Sequence, residues 1–453
     1  MRLLSTTQYF DFSDSSSLKV VQEYRLKYDN LSQILDENPN LLFLAHQDWA
    51  TLLSSSKEGR SGKFTSEQLL RALMVMFLEE QDYRGVVIRL SNDDFLHHFV
   101  RLTSGAVMDF TFLNRAMGIL SVSTINEMHQ VLNQYAVTQN KISGEKQRMD
   151  TTVYETNIHY PTDSSLLWDS FRTVARMIRN LQSELPQIEL HHRFHDKKVK
   201  KLFTYIGRNA SSTSKATQRK VKQQYRQLIE RVGWIHRVGQ GALQKTQAIG
   251  YAVSELSHYL PLVEKIVEQA DKRVLQGLTV PADEKLYSLF EEHTELIQRG
   301  KAGKAVEFGH KLLISQTNEK YIHHYQVLEK RREDKDLLEP ALDAHKALFG
   351  DYPYLLATDK GFYENREQLA SLREKIRVVS ICKKGRRTET EEAHEKSEDF
   401  VDGQRFRAGV EGSISVLKRA FNLGKCLFKG FKNYAASVGL ALLCHNLVLL
   451  TKL

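Results

Sequence analysis

Three acidic residues occupy positions that suit catalysis, although they are far apart in the sequence. Asp150 falls in a β-branched segment, Asp359 ends a short apolar segment, and Glu411 lies in a helical segment. Hard divalent cations such as Mg²⁺ prefer oxygen ligands of this kind. Two such ions about 3.5–4 Å apart can activate an attacking hydroxyl and stabilise a leaving oxygen at phosphorus. The alternative is that these are three unrelated members of a set of 55 acids.

The elements that would position these acids alternate between strand and helix. Alternation and β-branched or apolar runs predict strands at 149–160, 305–314, 321–328, 352–359 and 376–382. Helical spacing predicts helices at 339–348, at 364–374 and from Arg405 to the end, and the polar segment 383–402 predicts an exposed loop. This order of strands and helices is that of an RNase H-like fold, a mixed five-stranded sheet with flanking helices, in which the three acids would converge.

The chain divides into four predicted segments. Residues 1–140 show several short helical patterns and predict an all-helical N-terminal domain, which we expect to bind DNA. Residues 141–163 form the first part of the RNase H-like core, and residues 164–285 form a helical, basic insertion. Residues 286–453 complete the core and the C-terminal helices.

Positive charge is concentrated in two stretches of the chain. The net charge is +9, but residues 191–240 alone carry +11, so the other 403 residues sum to −2. A second stretch, 405–432, carries +6. Such concentration favours a polyanion partner over a merely solvated surface, because neutralised phosphates release counterions. The predicted DNA contacts in the insertion are Lys197, Lys198, Lys200, Lys201, Arg219, Lys220 and Lys222.

Composition excludes several other classes of protein. An apolar fraction of 41% excludes a mainly disordered chain, and three scattered cysteines exclude a disulfide scaffold and fit a reducing cytosol. The longest apolar run, Ala435–Leu450, is short for a membrane span and predicts a buried helix. Trp168 and Trp234 lie in the insertion, where either stacking on a base or core packing is open.

Four segments of the sequence resemble those of bacterial insertion-sequence DDE transposases, with the ISNCY group as the nearest match. The first is Asp150-Thr-Thr-Val-Tyr-Glu-Thr-Asn-Ile-His-Tyr-Pro-Thr-Asp163, and the second runs from Phe290-Glu-Glu-His-Thr-Glu through Arg299-Gly-Lys-Ala-Gly-Lys to Glu307-Phe-Gly-His-Lys311. The third is Thr358-Asp-Lys-Gly-Phe-Tyr363, and the fourth is Arg407-Ala-Gly-Val-Glu-Gly-Ser-Ile-Ser-Val-Leu-Lys418. Related families place a tyrosine three residues before the arginine. Here that residue is Gln404, so its role is either unfilled or taken by Phe406.

The resemblance implies roles for individual residues. Asp150, Asp359 and Glu411 would be the catalytic residues and would hold two Mg²⁺ or Mn²⁺ ions. Arg407 and Lys418 would contact DNA phosphate near the scissile bond. Arg419, next to Lys418, is a further predicted DNA contact. Arg407, Glu411 and Lys418 would share one helix face. The alternative is that Arg407 and Glu411 form an ordinary ion pair between residues four apart.

These features together predict a cytoplasmic, nucleoid-associated transposase that binds double-stranded DNA. It would recognise the terminal inverted repeats of its insertion sequence, cleave the DNA and transfer the freed strand to target DNA, as a homodimer or larger synaptic assembly. Two alternatives stay open: an RNase H-like nuclease without strand transfer, and a non-catalytic DNA-binding protein of the same fold.

Overall fold

The computed structural model describes residues 18–50, 64–103, 105–186, 192–246, 250–298 and 305–453. The chain forms two compact units, one made of residues 1–155 with 310–453 and the other of residues 156–309. The predicted segment boundaries at residues 140, 163 and 285 stay predictions. The part Arg299–Lys304 of the second family-like segment lies outside the described residues.

The described residues form the following helices and strands. The helices are α1 (Lys19–Glu37), α2 (Pro39–Trp49), α3 (Ser66–Leu78), α4 (Tyr83–Asn92), α5 (Asp94–Phe99), α6 (Phe110–Ile119), α7 (Val122–Thr138), α8 (Asp163–Glu184), α9 (Asp196–Asn209), α10 (Lys215–Gln244), α11 (Tyr251–Ala270), α12 (Leu338–Phe349), α13 (Arg366–Lys375), α14 (Glu389–Glu395), α15 (Glu398–Ala420) and α16 (Phe431–Leu450). The strands are β1 (Lys146–Thr156), β2 (Glu295–Gln298), β3 (Val306–Gln316), β4 (Ile322–Val327), β5 (Leu355–Thr358), β6 (Val378–Ile381) and β7 (Lys425–Cys426).

The sheet of the first unit is mixed. Its strands follow the order β3-β1-β5-β6, with β4 paired to β3 and β7 to β1. Strands β1, β5 and β6 run parallel, whereas β3 and β4 are antiparallel. Apolar side chains of α12 and α13, among them Leu342 and Leu369, pack with Met149 and Leu356 of the sheet. Helix α15 packs on β5 and β6. This mixed sheet with flanking helices is compatible with an RNase H-like core.

The predicted elements need three corrections. The five predicted strands correspond to β1, β3, β4, β5 and β6, but the count is two short, because β2 has only one buried residue and β7 spans only two residues. The predicted loop at 383–402 is wrong in part, since it contains α14 and the start of α15. The C-terminal helical segment is interrupted after α15, where a turn and β7 precede α16.

The N-terminal helices and α16 share one hydrophobic core. Helix α16 packs against α1, α3, α6 and α7, and its middle is buried on all sides. Its Asn446 side chain donates to the Ile322 carbonyl at 2.8 Å and accepts from the Ile322 amide at 3.1 Å, which ties the helix to β4. Among the described helices, α16 alone has the length and apolarity to cross a bilayer, but most of it is buried inside the protein. The prediction of a buried helix at Ala435–Leu450 is therefore confirmed.

The second unit is built on the helices α8 to α11. Its core contains Leu167, Phe171, Ile235 and Leu256, which are fully buried. Helix α8 begins with a capping box, in which Thr162 and Ser165 satisfy each other's backbone amides. Strand β2 forms an antiparallel hairpin with the first residues of β3.

Candidate active site

Asp150 and Asp359 follow paired positions on neighbouring parallel strands. Met149 of β1 pairs with Thr358 of β5, so each aspartate is the next residue along its own strand direction. Adjacent strands lie about 4.8 Å apart, which brings the two positions together at one edge of the sheet. Asp359 caps a short 3-10 helix, Lys360–Phe362, by accepting from the Gly361 amide at 2.8 Å. The register therefore explains why residues 209 positions apart in the sequence meet.

The carboxylate of Asp150 lies in an environment that disfavours its charge. Its side chain is 15% exposed, and burial raises its pKa above the ordinary value. The Thr151 amide, 2.7 Å from Oδ1, and the Arg407 guanidinium act in the opposite direction. The negative charges of Asp359 and Glu411 raise the pKa further. The three predicted acids thus share one electrostatic environment.

Arg407 joins two of these acids. Its Nη2 lies 3.3 Å from Oδ2 of Asp150 and 3.2 Å from Oε1 of Glu411. The ordinary ion pair between Arg407 and Glu411 is therefore present, but the same guanidinium also reaches Asp150 on β1. Glu411 is 66% exposed, so its side chain has room to change rotamer.

Helix α15 is fixed to the sheet beside these acids. A Cβ at Gly403 would overlap the side chain of Ser380 on β6, so glycine is needed for this close approach. Gln404, at the position of the family's tyrosine, donates through Nε2 to the Ser380 carbonyl at 2.7 Å and to the Thr358 carbonyl at 3.3 Å. Gln404 thus ties α15 to the end of the strand that precedes Asp359.

A buried arginine makes a second connection between α15 and the sheet. Arg148, two residues before Asp150 on β1, donates from Nη1 to the Phe406 carbonyl at 2.9 Å, and its guanidinium lies 4.9 Å from the centre of the Phe406 ring. Burial lowers the pKa of Arg148 to about 10, so it stays charged at neutral pH. A Cβ at Gly409 would overlap the Arg148 guanidinium. Phe406 therefore packs against Arg148 in this structure.

Asp334 is a fourth acid at this edge, and no sequence motif singled it out. Its Oδ1 accepts from Thr151 Oγ1 at 3.1 Å and from Lys311 Nζ at 2.9 Å. A Cβ at Gly361 would lie 2.7 Å from Asp334 Oδ2 and 2.8 Å from Asp359 Oδ1. Asp334 therefore contacts the neighbour of Asp150 and lies beside the turn that Asp359 caps. Its only sequence signal is one acid within the charged run 329–336.

The acids are of the type that binds hard divalent cations, but they are not arranged as a complete coordination site. In the part of the chain that the structure describes, no three His, Cys, Asp or Glu side chains are close enough to hold a metal ion. Arg407 lies between Asp150 and Glu411 instead. Because the donors are all carboxylates, the set fits Mg²⁺ or Mn²⁺. Binding of metal ions would require Arg407 to move away from Asp150 and Glu411, and the Glu411 side chain to turn towards the sheet.

The structure also locates the predicted DNA-contacting residues. Lys418 is partly exposed and Arg419 exposed in the last turn of α15. The seven basic residues predicted in the insertion all have exposed side chains on α9 or α10. Neither tryptophan of the insertion is free, since Trp168 stacks on Phe171 and Phe203, and Trp234 packs against Phe194. Core packing thus accounts for both rings.

The mixed sheet and the carboxylates at its edge are compatible with a nuclease-type site. Residues 280–447 match the family model of the transposase DDE domain, which covers less than half of the chain. Residues 280–447 are therefore similar to a transposase DDE domain, which confirms the resemblance to insertion-sequence DDE transposases, whereas the ISNCY group stays a prediction. Asp359 and Glu411 lie inside the matched range and Asp150 lies before it. No curated protein and no solved structure matched the chain.

Proposed function

We propose that the protein is the transposase of an insertion sequence, which cleaves DNA at the element ends and transfers the freed strand to target DNA. The observation that carries this proposal is the position of Arg407 between Asp150 and Glu411, in the same electrostatic environment as Asp359. A structural ion pair needs only one carboxylate. Three acids that repel one another at a sheet edge instead favour a cation-binding, phosphate-processing site.

Asp150, Asp359 and Glu411 would hold two Mg²⁺ or Mn²⁺ ions. The ions would activate the attacking oxygen and stabilise the leaving oxygen at phosphorus. Arg407, released from its two carboxylates, would then contact the scissile phosphate, and Lys418 and Arg419 would bind phosphates further along α15. The protein's own contribution is positioning and charge stabilisation.

DNA binding would depend mainly on the basic insertion. On α9, Lys197, Lys201 and Arg208 recur at spacings of four and seven, and on α10 Lys215, Arg219 and Lys222 recur at four and three. Residues at such spacings share a helix face, and all six side chains are exposed. Each helix thus presents a line of positive charge to a phosphate backbone.

The N-terminal helices would contribute differently. Residues 1–140 contain 12 Lys+Arg and 16 Asp+Glu, a net of −4. Recognition of terminal inverted repeats by this segment would therefore rest on base contacts rather than on phosphate attraction. Pairing two element ends would require a homodimer or larger assembly, and the site of action would be the bacterial nucleoid in the cytoplasm.

The test uses the full-length protein and duplexes taken from the DNA that flanks its gene, where inverted repeats are expected. Wild-type protein with Mg²⁺ should cut at the element end and join the cut strand to a second duplex. Asp150→Asn, Asp359→Asn and Glu411→Gln should each lower cleavage by more than about 100-fold, beyond the cost of losing an outer-sphere partner. Asp402→Asn, on the exposed part of α15, is the control and should cut normally.

The outcomes separate the alternatives. Cleavage without joining would indicate a nuclease, and binding without cleavage would indicate a non-catalytic DNA-binding protein. If all three acid variants cut as fast as the wild type, the catalytic assignment would be wrong.

A further inference from the structure

A basic loop lies beside the turn that Asp359 caps. It comprises residues 383–387, Lys-Lys-Gly-Arg-Arg, and we call it the β6 loop. It begins one residue after Cys382, which follows β6, and β6 pairs with β5 so that Ile381 lies opposite Thr358. The loop therefore leaves the sheet at the same edge as Asp359.

Lys384 reaches the turn that Asp359 caps. Its exposed Nζ donates to the Gly361 carbonyl at 3.0 Å, two residues beyond Asp359. Arg407 contacts Asp150 and Glu411 at the same edge. More than one positive group therefore lies beside the acids.

Acids of α14 hold the base of the β6 loop. Lys383 Nζ, which is largely buried, lies 2.7 Å from Glu391, and Arg387 lies 2.8 Å from Glu395. Lys383 Nζ also donates to the Arg386 carbonyl at 2.6 Å, which fixes the tip of the loop. A loop held in this way loses little conformational entropy when it binds a ligand.

Within the described residues, the charges of the β6 loop that no acid pairs belong to Lys384 and Arg386. Arg386 is exposed and has no ion pair within the described part of the chain. It lines a shallow cleft with Tyr363, Arg366, Lys383, Arg387, Thr388 and Glu389. Because Arg366 and Lys383 share Glu391, the acids of α14 do not cancel the positive charge of this cleft.

We infer that the β6 loop is a second phosphate-binding site, in which Lys384 and Arg386 hold the DNA strand next to the phosphate being cut. This inference rests on the proposed function. Carboxylates at the sheet edge repel every phosphate near them except one that metal ions bridge. A strand crossing that edge therefore needs cations for its neighbouring phosphates, since each strand carries one charge per about 3.4 Å along the helix axis.

The first test measures the salt dependence of binding to the flanking-DNA duplex. Affinity falls as salt rises, and removing two phosphate-binding charges should make the plot of log affinity against log salt less steep by about 1.8, at 0.9 for each phosphate. We expect this decrease for Lys384→Ala/Arg386→Ala. The matched control, Arg373→Ala/Arg377→Ala, removes two exposed charges from the opposite end of β6 and should leave the slope unchanged. Equal slopes for the two variants would overturn the inference.

The second test locates the contact. Phosphates on either side of the cut are replaced one at a time by neutral methylphosphonate. In the wild type, one or two positions next to the cut should weaken binding. The Lys384→Ala/Arg386→Ala variant should lose sensitivity at those positions only. If it keeps the wild-type sensitivity, the β6 loop does not bind those phosphates.

Two controls separate a specific effect of the β6 loop from misfolding and from an inactive wild type. Thermal unfolding checks that the alanine variant folds, and Lys384→Gln/Arg386→Gln replaces it if it does not, since glutamine keeps length and hydrogen bonding without charge. Failure of the wild type to bind or cut the duplex would contradict the proposed function. Normal wild-type cleavage with no effect of either loop variant would contradict the β6 loop inference alone.

Discussion

At the scale of single residues, the contacts of Arg407 determine how much of the negative charge of the three acids is neutralised. One guanidinium contacts both Asp150 and Glu411, so it neutralises part of the charge that the three acids accumulate. Charge at this edge nevertheless remains costly, because burial and the other two acids both raise the pKa of Asp150.

This cost predicts a pH-dependent effect of Asp150→Asn on stability. Consider a carboxyl group whose pKa in the folded state exceeds its unfolded value of about 3.9. Its contribution to stability is complete at pH values below about 3.9 and is lost as the pH rises through the folded-state pKa. Asparagine does not ionise. In EDTA, the variant should therefore gain stability relative to the wild type as pH rises above the ordinary aspartate range, by about 1.4 kcal/mol for each pKa unit of the shift. Urea unfolding at a series of pH values measures this, and a difference independent of pH would contradict it.

Asp334 should act on catalysis through Thr151 and Lys311. Asp334→Asn keeps the shape but removes the charge opposite Lys311. We expect cleavage to fall about 10–100-fold, as for other outer-sphere partners, with little change in the KM for DNA. Asp334 begins a short 3-10 helix, Asp334–Leu337, and Asp336→Asn, at an exposed acid of that helix, is the control. Equal cleavage by the two variants would remove Asp334 from the site.

The site residues differ in how far the sequence could reveal them. Asp150, Asp359, Glu411 and Arg407 could be named from the sequence, because their motifs resemble those of a family and appear in its order. Asp334 could not be named, since its contacts join β1, β3 and a turn that are distant in sequence. The role of Gln404 was also hidden, because a missing tyrosine does not show what its replacement will bind.

At the scale of elements, close approach between α15 and the sheet determines where Glu411 lies. Two glycines permit this approach, Gly403 against Ser380 and Gly409 against Arg148. Arg148 in turn bonds to Phe406 and to Gln316 of β3, at 3.2 Å, so one buried side chain aligns the helix with two strands.

Gly409→Ala should therefore destabilise the protein, although alanine normally favours a helix. Its Cβ would overlap the Arg148 guanidinium, and overpacking of this kind costs about 1–3 kcal/mol. Gly412, three residues later on α15, has open space around it. Gly412→Ala should be neutral or stabilising by up to about 1 kcal/mol. Denaturant unfolding compares the two, and equal stabilities would show that Gly409 has room for a side chain.

The sequence predicted the strands that show alternation or a buried apolar run and missed the others. Strands β1 and β3 are long enough to display alternation, β5 and β6 are short but wholly buried, and the order of strands and helices was correct. Strand β2 has four residues of which one is buried, and β7 has only two residues, so neither gives such a signal. Helix α14 has seven residues and none of them is buried, so it has no apolar face to detect.

At the scale of the whole molecule, the positive charge is concentrated where the proposed function needs DNA. The insertion carries more than the entire net charge, and residues 1–140 are net negative. Association with DNA should therefore depend on the insertion more than on any other segment.

Neutralising part of the α9 surface tests this dependence. Changing Lys197, Lys198, Lys200 and Lys201 to Gln should flatten the slope of log affinity against log salt by up to about 3.6, at 0.9 for each phosphate that the variant no longer neutralises. The control changes Lys245, Lys265, Lys272 and Lys285, which lie elsewhere in the same unit, and should leave the slope near that of the wild type. Filter binding over a range of salt concentrations measures both. An unchanged slope in the α9 variant would mean that this surface does not hold DNA.

The buried position of α16 has a consequence for synthesis of the protein. The core shared by α1, α3, α6 and α7 is incomplete until α16 packs into it, and α16 follows every other described helix in the chain. Residues 156–309, in contrast, form a unit from one continuous segment. During synthesis, the unit of residues 156–309 is therefore able to fold before α16 completes the unit that carries the acids. The nascent chain would thus acquire the basic surface proposed to bind DNA before it acquires the candidate active site.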